Sequence, residues 1–216
     1  MLFNLDAATL IARAVTLLIA FTIHELAHAL SADYLGDDTP RRMGRISLNP
    51  IVHLDPIGTL MLLVAGFGWA KPVMVNPYQM RGDPRRNMAI VALAGPVSNI
   101  FMAILASIPF RLGLLDFSFR SSSTIIPSVD FLLASFLWIN IILAVFNMIP
   151  VGPLDGLKVL RGVLPRQMSG FLDPLEQYGM IILLLAIFAL PMIGIDLFGT
   201  FLIGTSVFLV ELLLFA

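Results

Sequence analysis

Long runs of apolar residues dominate the pattern of hydrophobic and polar positions along this chain. Residues 87–110 and 131–154 contain no charged side chain. A helix needs about 20 apolar residues to cross the hydrocarbon core of a membrane, and both runs reach that length. Residues 7–35 form a third run, which is interrupted by Arg13 and by a polar turn at 24–28. The pattern therefore predicts three membrane-spanning helices before the C-terminal region.

The C-terminal apolar region is divided by helix-breaking residues. Pro191 and Gly194 separate residues 174–190 from residues 195–214. Proline and glycine interrupt a helical run, so this region is predicted to form a hairpin of two further membrane helices.

A shorter apolar segment lies between the first and second predicted spans. Residues 57–70 are only fourteen in number and include three glycines. This length is short for a membrane span and favours a re-entrant segment. In residues 71–77, β-branched residues alternate between prolines, which is typical of an edge strand. We therefore expect a short β-type loop after the re-entrant segment.

Composition narrows the class of protein. The chain has 216 residues, of which 58% are hydrophobic and 12% charged, against about 45–50% and about 25% in soluble domains. It has no cysteine and a formal net charge of −1, which excludes a disulfide scaffold and argues against a nucleic-acid partner. The predicted fold class is an all-α polytopic membrane protein with about five transmembrane helices and a re-entrant segment. We expect a single membrane-embedded domain over 1–216, with a core at about 7–165 and the hairpin at about 174–214.

The first predicted helix carries three ionisable residues in the pattern H-E-x-x-H, namely His24, Glu25 and His28. The two histidines are four residues apart and project from one face of a helix, so their imidazoles can hold one Zn²⁺. Glu25 lies one step around the helix, where it can accept a proton from an attacking water molecule. A polar turn at the membrane interface is the alternative. Ionisable residues inside a membrane helix are costly, by about 2.5–3.5 kcal/mol each, which favours a functional site.

A catalytic zinc site needs a third protein ligand. His53 is the one remaining histidine, and it lies in a loop with Asp55. Asp155 is the stronger candidate, because it follows Pro150 and Pro153 at the point where the third span breaks. The alternative role for Asp155 is to cap the helix that begins there. Its pairing with the histidine cluster favours the ligand role.

The distribution of basic residues predicts an orientation. If residues 57–70 are re-entrant, ten of the thirteen lysines and arginines fall on one side of the membrane. The positive-inside rule makes that side cytoplasmic. The histidine cluster and Asp155 then both lie toward the cytoplasm, with the N-terminus outside and the C-terminus inside. If residues 57–70 spanned the membrane, the two parts of the site would end on opposite sides.

Three motifs together resemble the site-2 protease family of intramembrane zinc metalloproteases. They are H-E-L-A-H at 24–28, A-G-P-V-S-N at 94–99, and the run from Asn147 through Pro150 to L-D-G at 154–156. The motifs around 44–59 and 70–77 are similar to those of compact family members without a PDZ or CBS domain. Met74 stands where a second proline is expected.

The resemblance implies roles for individual residues. It implies that His24, His28 and Asp155 are zinc ligands and that Glu25 is the general base. It also implies that the loop around Val73, Val75 and Asn76 receives the substrate strand, and that Asn147 lies near the scissile peptide. Two purely structural alternatives stay open. Asn147 can satisfy carbonyls of the broken helix, and an Asn-Pro pair at 76–77 is typical of a turn.

The sequence thus predicts a zinc endopeptidase, with one Zn²⁺ per chain, that cleaves transmembrane segments of other proteins in the lipid bilayer. Two other functions stay open. Intramembrane histidine and carboxylate groups also mark ion pathways, so an ion-coupled transporter is one alternative. A pseudoprotease that only binds membrane helices is the other. The intact H-E-x-x-H pattern argues against both.

Overall fold

The structure is a computed structural model that describes residues 6–58, 69–119 and 125–215. Within these ranges the chain is mainly helical and contains no strand. Four helices are long and apolar enough to cross a membrane, a criterion that considers length and composition only. They are α1 (Ala7–Leu35), α2 (Pro84–Arg111), α3 (Val129–Asn147) and α5 (Leu197–Phe215), while a shorter helix, α4 (Asp155–Val163), follows α3.

A bent helical pair lies between α4 and α5. The segments Arg166–Gln177 and Gly179–Met192 meet at an angle of 59° and would provide a fifth crossing if they act as one span. The predicted all-α membrane fold with about five spans is therefore confirmed. The shorter helical elements are Thr39–Arg42, Pro50–Val52, Arg166–Leu172, Asp173–Gln177, Gly179–Leu184, Leu185–Ala189 and Leu190–Met192.

Local signals fix the ends of the helices that carry the site. The Asp6 carboxylate accepts the Thr9 N–H at the start of α1 (2.7 Å), and Gly36 ends this helix in the left-handed conformation (φ 112°). Asp83 caps α2, where two backbone N–H groups of the first turn hold its pKa below the ordinary value. Such caps satisfy backbone donors that have no partner within the helix.

Helix α2 occupies the centre of the bundle and packs against α1, α3 and α4. Small residues of α2 pack against larger apolar residues of α3, and α5 contributes one residue to the same cluster. The buried members of this cluster are Ala103, Ala106, Leu137, Ile141, Val145 and Val210. The small side chains of α2 permit the close helix packing that membrane helices use.

The third span breaks beside Pro150 and Pro153, as predicted, so its helix is shorter than the apolar run. The run continues to residue 154, but α3 ends at Asn147 and α4 begins at Asp155. The two prolines between them lack an N–H for helical hydrogen bonding. The predicted helix at 174–190 is also broken, at Tyr178. There a Cβ on Gly179 would lie 2.1 Å from the Gly152 carbonyl oxygen, so this glycine allows the two backbones to touch.

The chain between α1 and α2 starts and ends at the same end of the bundle. The Arg81 N–H donates to the Leu35 carbonyl oxygen (2.8 Å), which brings the two ends of this stretch together. The predicted re-entrant segment at 57–70 lies largely outside the described residues. The predicted edge strand at 71–77 is not formed within the described chain, because this segment has no strand partner. A single antiparallel bridge joins Leu54 to Ala70 just before it.

Candidate metal centre

Two histidines of α1 face the centre of the bundle. His24 and His28 are buried, and their Nε2 atoms lie 3.0 Å apart. The i and i+4 spacing on a helix brings both imidazoles to one face, as the sequence pattern predicts. The two rings meet edge to face, with centroids 4.6 Å apart. Both Nε2 atoms are therefore available to one metal ion.

Asp155 completes a cluster of three donors. Its Oδ2 atom lies 3.3 Å from the His24 Nε2 atom and 3.1 Å from the His28 Nε2 atom. Its Oδ1 atom instead faces the Lys158 ammonium group at 3.3 Å. Leu154 occupies the N-cap position of α4 and Asp155 the first helical turn, so the capping role considered for Asp155 is not observed.

The donor geometry fits a zinc ion. Zinc bonds of about 2.0–2.1 Å to the corners of a tetrahedron place ligand atoms about 3.3 Å apart. The three donor atoms of His24, His28 and Asp155 are 3.0–3.3 Å apart and belong to buried residues. Two imidazoles and one carboxylate leave the fourth position open, as catalytic zinc sites require.

A glycine of α2 leaves the space beside these donors empty. A Cβ on Gly95 would lie 2.5 Å from the His28 Nε2 atom and 2.6 Å from the His24 Nε2 atom. A zinc ion would bind these nitrogens at about 2.0–2.1 Å, so a side chain at this position would crowd the space that the ion needs. Gly95 belongs to the A-G-P-V-S-N motif, and its missing side chain allows α2 to approach the site closely.

The outer nitrogen of each imidazole has a fixed partner on α2. The His24 Nδ1 atom lies 2.6 Å from the Asn99 Oδ1 atom, and the His28 Nδ1 atom lies 2.7 Å from the Val91 carbonyl oxygen. Both partners can only accept a hydrogen bond at these oxygens, so each Nδ1 carries the proton. Each Nε2 atom then presents its lone pair to the site, as a metal-binding histidine must.

Glu25 lies beside the cluster and is itself buried. Its Oε2 atom accepts a hydrogen bond from the Val73 N–H at 3.0 Å. Its Oε1 atom accepts none from a described residue, and Glu25 is not a member of the three-donor cluster. One oxygen is thus held by the loop while the other stays available for proton transfer.

Two buried side chains hold the loop that carries Val73. The Arg45 guanidinium donates to the carbonyl oxygens of Val52, Lys71 and Pro72 at 2.6–3.2 Å. At the other end of the segment, the Asp37 carboxylate accepts the Asn76 N–H at 2.6 Å. Residues 71–76 are therefore fixed at both ends although they belong to no strand.

The side chains predicted to bind substrate are engaged within the chain. The Asn147 amide donates to the Leu143 carbonyl oxygen (2.9 Å), and Asn76 Oδ1 accepts the Tyr78 N–H (3.1 Å). The Asn76 contact is the turn considered for the Asn-Pro pair at 76–77. Leu143 lies inside α3, so the Asn147 contact is not one with the broken-helix carbonyls around Pro150, and the amide NH₂ still has a second hydrogen to donate. Val75 packs its side chain against a small buried apolar cluster. A substrate role of Val75 would therefore use its backbone.

His53 and Asp55 do not join the metal centre. His53 is fully buried, and its Nε2 atom lies 2.8 Å from the Ser47 carbonyl oxygen. Asp55 accepts two backbone N–H groups in the short turn that follows it. Within the described residues, both make contacts inside the loop at 47–58.

Sequence reasoning missed several residues around the site, chiefly Asn140, Arg45 and Asp37. Asn140 donates no bond to the metal centre, but its Oδ1 atom accepts from the Asn99 amide at 2.8 Å. A buried amide in a long apolar run is itself a signal of a polar contact between helices. No such signal exists for Arg45 and Asp37, which lie in polar loops.

Comparison with known proteins identifies the family. A family model described as peptidase family M50 matches residues 113–190, which include Asp155. YwhC of Bacillus subtilis (strain 168) is 38% identical over 179 residues, which cover 82% of this chain and 80% of that protein. The chain belongs to peptidase family M50, the site-2 protease family.

Further relatives of this M50 chain occur in mycobacteria. Rip2 of Mycolicibacterium smegmatis is 30% identical over 76% of this chain and 62% of that protein. Rip2 of Mycobacterium tuberculosis (strain H37Rv) is 30% identical over 84% of this chain and 68% of that protein. All three relatives carry the name "Putative zinc metalloprotease". No solved structure matches the chain. Family and fold make this chain an integral membrane zinc metalloprotease.

Proposed function

We propose that this M50 chain is an intramembrane zinc endopeptidase that hydrolyses peptide bonds within or near transmembrane segments of other proteins. The observation that carries the proposal is the three-donor cluster of His24, His28 and Asp155, buried among apolar helices and adjacent to Glu25. A peptide bond in a membrane is shielded from water, so its hydrolysis needs a polar site at this depth.

His24, His28 and Asp155 are the proposed metal ligands. When Zn²⁺ is bound, it supplies a Lewis acid that polarises a carbonyl group and acidifies water. The protein holds the donors ready, because Asn99 and Val91 orient the two imidazoles and Lys158 holds the second oxygen of Asp155. The site therefore needs little rearrangement to take up the ion.

Glu25 is the proposed general base. The Val73 N–H fixes one carboxylate oxygen, and the other is free to accept a proton from water and to pass it to the leaving amine. Asn147 is proposed to use its second amide hydrogen to bind the substrate backbone or the developing oxyanion. Its position at the end of α3, eight residues before Asp155, is compatible with this role.

The loop around residues 73–76 is the proposed receptor for the unwound substrate. Peptides can add as strands to an exposed backbone edge. The Val73 carbonyl and both backbone groups of Val75 make no hydrogen bond within the described chain. If the segment paired with substrate as a strand, these groups of Val73 and Val75 would point to one side, the side on which the Val73 N–H contacts Glu25. Substrate bound there would lie beside the general base.

The proposed orientation places the active site toward the cytoplasm, with the N-terminus outside and the C-terminus inside. It is supported by the basic residues of the loops and by the return of the chain from Leu35 to Arg81. That return is compatible with a re-entrant segment at 57–70. We further propose that residues 1–216 act as one membrane-embedded protease domain whose partners are transmembrane-segment substrates and the bilayer.

The test combines metal analysis with cleavage of single-span substrates by the purified chain in lipid vesicles. Glu25→Gln should keep stoichiometric zinc and lose cleavage, whereas Asp155→Ala should lose zinc. The matched control is Glu211→Gln, because Glu211 is an exposed glutamate on α5, and it should keep both properties. Cleavage by Glu25→Gln at the parent rate would refute the protease proposal.

A further inference from the structure

A chain of buried side-chain amides lies behind the metal centre, and we call it the amide relay. It runs from His24 through Asn99 and Asn140 to the Phe136 carbonyl oxygen. The Nδ1 atom of His24 lies 2.6 Å from Asn99 Oδ1, and the Asn99 amide donates to Asn140 Oδ1 at 2.8 Å. The Asn140 amide donates to the Phe136 carbonyl oxygen at 2.9 Å. Both asparagines are fully buried.

The last member of the relay determines the direction of every hydrogen bond in it. A backbone carbonyl can only accept, so Asn140 must turn its NH₂ group toward Phe136 and its oxygen toward Asn99. Asn99 must then turn its own NH₂ group toward Asn140 and its oxygen toward His24. That oxygen can only accept, so the proton of a neutral His24 must lie on Nδ1.

This proton position leaves the His24 Nε2 lone pair directed at the metal centre. In the opposite tautomer, a proton on Nε2 would point into the site and the Nδ1 lone pair would face the Asn99 oxygen. His28 reaches the same state by a shorter route, because its Nδ1 contacts the Val91 carbonyl oxygen directly. For His24 the acceptor is a side chain that could rotate unless Asn140 holds it.

We propose that Asn140 is a positioning residue that fixes the tautomer and ring orientation of His24 through Asn99. The inference rests on the proposed zinc site, and it assigns to Asn140 a share of the zinc affinity. Asn140 lies on α3 and makes no contact with the three donor atoms, so its effect must pass through α2. Residues that orient a metal ligand typically contribute about 10–100-fold to metal affinity.

The first experiment measures zinc affinity of the full chain in detergent by competition with a chelator. Asn140→Leu keeps the side-chain size but removes both hydrogen bonds, and we expect zinc to bind about 10–100-fold more weakly. The control is Ser107→Ala, which removes a buried hydroxyl of α2 that donates to the Ile104 carbonyl oxygen. It should bind zinc like the parent. Equal affinity in Asn140→Leu and the parent would overturn the inference.

A second variant separates positioning from general packing. In Asn99→Asp the carboxylate accepts from His24 whichever way it rotates, so the tautomer no longer depends on Asn140. Adding Asn140→Leu to Asn99→Asp should therefore cause no further loss of zinc affinity. If Asn140 merely supported the packing of α2 on α3, its substitution would cost as much in this background as in the parent. That result would overturn the inference.

A measurement on the parent chain keeps the inference testable if Asn140→Leu does not fold. With ¹⁵N-labelled histidine, the His24 Nδ1 proton of the zinc-loaded chain should exchange slowly with solvent, because it is bonded to a buried amide. Fast exchange in a chain that binds zinc tightly would contradict the relay. A parent chain that binds no zinc would instead refute the proposed function.

Discussion

Gly95 offers the sharpest perturbation of the metal centre, because it can be changed by a single methyl group. The Cβ of Gly95→Ala would lie 2.5 Å from the His28 Nε2 atom and 2.6 Å from the His24 Nε2 atom, whereas ordinary contact begins at 3.4 Å. Each imidazole, or the backbone of α2, must therefore move by about 0.8–0.9 Å. Metal–ligand distances tolerate about 0.2 Å.

We expect Gly95→Ala to bind zinc about 100-fold more weakly than the parent, at the upper end of the range for changes next to metal ligands. The helix itself does not oppose the substitution, because alanine is favoured over glycine within a helix by roughly 0.5–1 kcal/mol. The expected defect thus comes from the clash at the site rather than from a weakened α2.

The assay is zinc competition with a chelator, followed by thermal unfolding of the zinc-free chain. Gly204→Ala is the matched control, because Gly204 also lies in a membrane helix and a Cβ there would have no neighbour within 4 Å. The control should bind zinc like the parent. If Gly95→Ala bound zinc with parental affinity, the close approach of α2 to the two imidazoles would be refuted.

Three further predictions concern the loop that carries Val73, the binding of substrate to that loop, and the cap of α2. Arg45→Met removes the three hydrogen bonds to loop carbonyls. The KM for a single-span substrate should therefore rise several-fold at unchanged zinc content, and an unchanged KM would contradict the proposed role of the loop in binding substrate. Val75→Pro removes a backbone N–H that the proposed pairing offers to the substrate, and it should abolish cleavage. Met74→Pro removes an N–H that the same pairing would direct to the other side, and it should remain active; equal activity of the two would refute strand addition. Backbone N–H groups lower the pKa of Asp83. The charged cap therefore stabilises the fold above the unfolded pKa, near 3.8, and this stabilisation is lost as pH falls through the folded pKa. The difference in Tm between the parent and Asp83→Ala should therefore shrink below about pH 4, and a constant difference would contradict the cap.

The sequence predicts the metal centre better than its surroundings. His24 and His28 are placed on one face by helical periodicity alone, and the prolines before Asp155 predict the break that turns this residue inward. The contact between Asn99 and Asn140 depends on the register of α2 against α3, which periodicity within one helix does not determine.

The hydrogen bonds made by the loop residues could not be predicted from the sequence pattern either. Arg45 and Asp37 reach residues up to 39 positions away in the chain, and nothing in their local sequence distinguishes them from surface charges. The prolines predict that the third span breaks at 150–153, but α3 already ends at Asn147, because the uncharged run at 131–154 carries no signal for the last helical residue. Apolar composition reports burial in the membrane, not helix length.

The most direct test of the central claim is to map the bond that the chain cuts in a single-span substrate reconstituted in lipid vesicles. Mass spectrometry of the products should locate the cut within or near the transmembrane segment, and Glu25→Gln should yield no product although it retains zinc. A cut confined to parts of the substrate remote from the membrane, or equal product from Glu25→Gln, would contradict intramembrane proteolysis at this site.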